Sequence, residues 1–171
     1  QLLPRHADAI IRSGIRRDNV SLDRLNRDRF REIARSGDLN TVLHGIELMQ
    51  AGGVAVKINM VPMQGVNDDQ IIPLLEYSLA RDIELRFIEL MNMGHLQASP
   101  EYRQEFFSMA NILELIAGAY AYTRTDAPFD SAAVRYEIPG QGVFGIIANE
   151  SEPFCRNCTR LRLSSNGALY G

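Results

Sequence analysis

The sequence predicts an α/β chain in which parallel strand–helix units are followed by a smaller, mixed α and β segment. Two observations carry that prediction. Apolar runs of strand length at residues 19–23, 54–61 and 83–90 recur regularly with helical patterns between them, the signature of parallel βα units that close into barrels or wind into open sheets. After Met93 the rhythm changes to helical stretches followed by two strands around the turn PGQG at residues 139–142.

Each element has a local reason. NVSLD at residues 19–23 is a short strand, and Asn26 can cap a helix over residues 26–35 that Ser36 and Gly37 end. Asp38 can cap the next helix, where Val42, Leu43, Ile46 and Met49 recur at helical spacing before Gly52 and Gly53 stop it. VAVKINMV at residues 54–61 is the near-continuous apolar strand that parallel sheets bury. A capping box from Asn67 to Gln70 opens a helix through Leu79, and residues 83–90 form the third strand. Ser99 and Pro100 then start a helix, another apolar helix covers residues 108–119, and residues 134–147 read as the two strands of the second segment.

Composition excludes several classes of function. With 171 residues and 46% hydrophobic content the chain can bury a core and does not read as disordered. A net charge of −3 argues against nucleic-acid binding, which would call for an excess of Lys and Arg. No apolar run reaches the length of a membrane span and no signal peptide opens the chain, so the expectation is a soluble, cytoplasmic protein. The two cysteines, Cys155 and Cys158, cannot build a disulfide scaffold, and such a C-x-x-C pair in a reducing compartment is metal-binding or redox-active. The chain opens at Gln1 and offers the pair no further cysteine, so it is expected to be a fragment.

Polar residues inside strands are the candidate site. Lys57 and Asn59 lie on one face of their strand, opposite Val54, Val56, Ile58 and Met60. A lysine there needs an anionic partner or a wet cavity, and a buried ion pair would serve as well as a ligand. Ser21 with Asn19 and Asp23 makes a second polar face, and Glu89 with Met91 ends the third strand, where barrel active sites converge. The plainer alternative makes Ser21 and Asp23 turn formers and Met91 core filler. In an extended segment Arg160 and Arg162 share one face just after Cys158, a fork suited to phosphate oxygens beside a metal, or else a solvated strand face.

NVSLD at residues 19–23, VKINM at 56–60, GVNDD at 65–69, RFIELM at 86–91 and FCRNCTRLRLS at 154–164 occur in this order in a known family. Over essentially its whole length the chain resembles the radical-SAM GTP cyclases of molybdenum-cofactor biosynthesis. The resemblance implies the second half of a partial (βα)6 TIM-type barrel over residues 1–97, and the truncated start of a C-terminal α+β iron–sulfur domain over residues 98–171. In that family an amino-terminal C-x-x-x-C-x-x-C motif holds a 4Fe-4S cluster that cleaves S-adenosylmethionine. A second 4Fe-4S cluster, held by three cysteines, leaves one iron open to GTP.

Carried onto this sequence, the resemblance implies Cys155 and Cys158 as ligands of the second cluster, Lys57, Arg160 and Arg162 as GTP contacts, and Ser21 and Met91 as S-adenosylmethionine contacts. The missing ligands would lie upstream of Gln1 and just beyond Gly171. The reaction implied is conversion of GTP to (8S)-3',8-cyclo-7,8-dihydroguanosine 5'-triphosphate, through a 5'-deoxyadenosyl radical, hydrogen abstraction from the ribose and closure onto guanine. Implied partners are an electron donor, the next pathway enzyme (cyclic pyranopterin monophosphate synthase) and a second copy of the chain. Asp18, Pro62, Gln64 and a short turn at residues 36–38 depart from the family pattern. The competing readings are another radical-SAM enzyme with an auxiliary cluster and a zinc-stabilised binding module. A thioredoxin-like role is disfavoured, because Cys155 does not open a helix after a strand. The isolated chain is expected to be inactive and poorly stable, its parallel strands lacking barrel neighbours.

Overall fold

A computed structural model describes residues 2–26, 38–97, 99–126, 131–153, 162–164 and 166–170. The first element, α1 (Leu3–Arg12), is unassigned above, although Leu3, Ala7, Ile10 and Ile11 recur on one helical face and Pro4 suits a first turn. Strand β1 (Arg17–Ser21) begins two residues earlier than NVSLD suggests and takes in Asp18. The helix expected after Asn26 falls outside the described residues. Helix α2 (Leu39–Ala51) is capped as expected, the Asp38 carboxylate accepting from the Thr41 amide at 3.1 Å and its hydroxyl at 3.0 Å. At Gly52 a side-chain carbon would stand 2.2 Å from Ile11 Cδ1, so this glycine permits α1 to pack against α2.

Strand β2 (Ala55–Met60) alternates as its sequence requires, with Val56, Ile58 and Met60 buried. The segment before helix α3 (Ile71–Leu79) corrects the expected capping box. Residues Asp68–Gln70 form a 3-10 turn, and the fully buried Asn67 caps no helix. Its side chain accepts from the Met63 amide at 2.6 Å and donates to the Val61 carbonyl at 3.0 Å, because the loop backbone it buries has first claim on its hydrogen bonds. Strand β3 (Glu84–Ile88) follows.

The second segment contains α4 (Pro100–Glu105), where Ser99 Oγ accepts from the Tyr102 amide at 3.0 Å, and α5 (Met109–Ala117), opened by a reciprocal Ser108–Asn111 capping box. Three strands complete it: β4 (Thr123–Thr125), absent from the sequence reading, then β5 (Val134–Ile138) and β6 (Gly142–Ile147). The last two form the expected hairpin, with Gly140 at φ 72 in the turn. Strands β7 (Arg162–Leu163) and β8 (Leu169–Tyr170) pair with each other in a separate two-stranded ribbon.

Among the described residues six strands form one mixed sheet in the order β1-β2-β3-β6-β5-β4. Strands β1, β2, β3 and β6 run parallel, and β5 and β4 extend the sheet antiparallel. The α/β class is therefore as expected, with β6 from the second segment hydrogen-bonded directly to β3. One face carries the core, on which α2 packs against β2 and α3 against β3, β6 and α5. No described helix is long and apolar enough to cross a membrane.

Strand ends are tied by side chains. The Asp23 carboxylate accepts from the Val61 amide at 2.9 Å, joining the exits of β1 and β2, and burial pushes its pKa above the usual 3.8. The folded state then binds the Asp23 proton more tightly than the unfolded one, so the contribution is complete below pH 3.8 and lost as pH rises through the raised folded pKa. Asp23→Asn keeps an acceptor for Val61 without the buried charge. Its melting temperature should exceed that of the parent at pH 7 and converge with it in acid, which a melting series across pH checks.

Candidate functional site

Register sorts the strand residues into two faces. Val20, Ile58, Leu85, Phe144 and Tyr136 align across five strands on the helix-covered face. Their neighbours build the opposite, polar face: Asn19 and Ser21 from β1, Lys57 and Asn59 from β2, Glu84 and Arg86 from β3, and Arg135 from β5.

Two hydrogen-bonded rows cross this face. In the first, Lys57 Nζ donates to Glu84 Oε1 at 3.0 Å and Arg135 Nη2 to Glu84 Oε2 at 3.2 Å, so one carboxylate holds two cations. In the second, Arg86 Nε donates to Asn59 Oδ1 at 3.0 Å and Arg86 Nη2 to Asn19 Oδ1. Gly145 of β6 leaves room beside this row, since a side-chain carbon there would come 3.3 Å from Arg86 Cγ and 3.1 Å from the Ala133 side chain, so both would have to shift by a few tenths of an ångström. These two rows bring three cations, Lys57, Arg86 and Arg135, and the carboxylate of Glu84 onto one face. Arg135 Nε is also buried without a hydrogen-bond partner, an orphaned donor that an anion would satisfy.

The sequence-predicted residues are placed as follows. Lys57 has the anionic partner its strand position demands, Glu84. Ser21 is the exposed last residue of β1 on the same face, and Met91 stands half-buried three residues beyond β3, so both lie at the carboxyl edge of the parallel strands. Cys155, Cys158 and Arg160 lie outside the described residues, and Arg162 enters only through its backbone pairing with Tyr170 in β7. The sequence reading assigned no role to Arg86, Arg135 or Glu84. Strand parity could have found them, since each alternates with a buried apolar residue just as Lys57 does.

A cavity of about 220 Å³ opens at the other end, where Lys57, Asp82, Glu84 and Gln141 meet below β2, β3 and β6. It falls short of the roughly 300 Å³ at which small-molecule sites begin, and a more open hollow of about 360 Å³ beside Glu76, Tyr120 and Gln141 has no cation in its lining, so the cation-lined polar face is the better anion candidate. Since the Lys57–Glu84 pair is partly exposed and Glu84 keeps Arg135, Lys57→Ala should change folding stability by no more than about 1 kcal/mol in a denaturant titration.

An α/β sheet covered by helices on one face and lined with cations on the other defines a candidate anion-binding protein. Residues 83–171, from the start of β3 through the cysteine pair, match the family described as Molybdenum Cofactor Synthesis C, and the chain belongs to that family. It is 38% identical to a GTP 3',8-cyclase of Synechocystis sp., over 98% of this chain and 51% of the relative. A GTP 3',8-cyclase of Alkaliphilus oremlandii is 39% identical over 98% and 52%, and one of Helicobacter pylori 38% over 98% and 51%. The chain spans about half the length of the curated relatives it matches.

Proposed function

We propose that this chain is part of a GTP 3',8-cyclase, a radical-SAM lyase that converts GTP to (8S)-3',8-cyclo-7,8-dihydroguanosine 5'-triphosphate in molybdenum-cofactor biosynthesis. The observation that carries the reading is the polar face on which Lys57, Arg86 and Arg135 converge, in a chain whose relatives are GTP 3',8-cyclases over nearly all its length. Residues 1–97 would be barrel and residues 98–171 the start of the cluster- and GTP-binding domain.

The residues present fit the groups this function needs. Arg135 Nε awaits an acceptor, the Ser21 hydroxyl is exposed at the strand edge, and two thiolates separated by two residues are a soft donor set suited to iron–sulfur ligation. Lys57, with Arg160 and Arg162, would neutralise the triphosphate. Ser21 and Met91 would hold S-adenosylmethionine at the carboxyl edge, and Cys155 and Cys158 would bind a 4Fe-4S cluster. When bound, the two clusters and S-adenosylmethionine supply the electron transfer and radical chemistry. The protein's share is to orient the nucleotide, keep water out and balance its charge. An electron donor, cyclic pyranopterin monophosphate synthase and a second copy of the chain are the proposed partners.

The test is anaerobic reconstitution of the holoprotein with iron and sulfide, followed by GTP titration and product analysis with S-adenosylmethionine and a reductant. Lys57→Ala should weaken GTP binding while the melting temperature stays near that of the parent. Tight zinc uptake without iron–sulfur absorbance, and no GTP binding, would instead favour a structural zinc module.

A further inference from the structure

We infer that Glu89 is a positioning residue, which locks the segment leading into the cysteine pair against the end of β3 and the start of α5. The inference rests on the proposed iron–sulfur function. Glu89 is 1% exposed, yet both its oxygens are fully engaged. Oε1 accepts the Met109 amide at 2.7 Å and the Ser151 hydroxyl, while Oε2 accepts the amides of Glu150 and Ser151, each at 2.9 Å. Its backbone joins the same junction, the carbonyl accepting from Asn149 Nδ2 at 3.3 Å and the amide donating to the Ile147 carbonyl at 3.1 Å.

The physical logic is specific to a carboxylate. Burying a negative charge is costly unless donors surround it, and here they are three backbone amides and a hydroxyl, one amide being that of the first residue of α5, where the helix dipole also favours an anion. The node therefore gathers three segments far apart in sequence. Its position matters for the site: Met91 is two residues along from Glu89, and Cys155 follows Ser151 by four, within about 14 Å of chain reach. Fixing residues 149–151 thus limits where the cysteine pair can stand relative to the edge that carries Ser21 and Met91.

Glu89→Gln tests this sharply, because an amide has one accepting oxygen and its nitrogen cannot accept. Whichever way it faces, two of the four donors lose their acceptor. The control is Ile112→Val, which trims a fully buried α5 side chain without touching the node. The holoprotein of each is followed by amide hydrogen exchange at residues 109, 150 and 151, and by iron release to a chelator. Glu89→Gln should exchange faster at these amides and release iron several-fold faster than Ile112→Val under conditions where the two have equal thermal stability. Should Glu89→Gln fail to fold, Ser151→Ala removes only the hydroxyl contact and should show the same acceleration in smaller measure. Iron release matching the control would overturn the inference. A parent holoprotein that takes up no iron would instead overturn the iron–sulfur reading, a separate failure visible before any variant is compared.

Discussion

Phe144→Ala should remove about 3–5 kcal/mol of folding stability, the cost of emptying a large aromatic site in a core that relaxes only partly. Phe144 is fully buried in β6, the strand that joins the parallel and antiparallel parts of the sheet. Tyr136 stacks on it at 5.1 Å, Tyr122 meets it edge-on at 5.7 Å and Phe87 at 6.3 Å. Truncation therefore removes a hydrophobic side chain and three aromatic contacts at once. Set against the roughly 5–15 kcal/mol that holds a typical domain together, that is enough to leave the chain marginal. Urea or thermal melts of Phe144→Ala and Phe144→Leu should show most of the stability kept by Leu. A small loss in the Ala variant would mean that this sheet junction is not the centre of the core.

Arg160→Ala and Arg162→Ala should each weaken GTP binding by about 1.5–3 kcal/mol in the holoprotein, the range for a hydrogen bond to a charged group, with cluster absorbance intact. Arg162 pairs through its backbone with Tyr170 in the short extended segment β7, while Arg160 lies outside the described residues. Lysine at either position should restore only part of the affinity, since a point charge cannot reproduce a bidentate fork. Calorimetric GTP titration alongside iron analysis separates the possibilities. Unchanged affinity in both Ala variants would make the pair a solvated strand face, and loss of iron would make their role structural.

Much of the fold is legible in local pattern. The alternation in VAVKINMV, the caps at Asp38 and Ser99 and the PGQG turn all place elements that the structure contains, because strand pleat, helix capping and turn geometry act over a few residues. The misses have equally physical causes. Asn67 has the spacing of a cap, but burial beside the chain at Val61 and Met63 turned its amide to that loop instead. Strand β4 is short and largely exposed, so its pattern is weak.

The sequence by itself determined the α/β class, the family and the polar alternation that marks Lys57, because each is written in residue types and their spacing. Only the tertiary structure decided what those residues meet. The Lys57–Glu84 pair spans 27 positions and the Glu89–Ser151 contact 62, and strand order rather than any periodicity brings such residues together. In the sequence Glu89 is a polar residue at the end of the third strand, where barrel active sites converge, and nothing there shows what it bonds. It becomes the junction of three segments because folding buries its charge where three backbone amides and a hydroxyl converge on it.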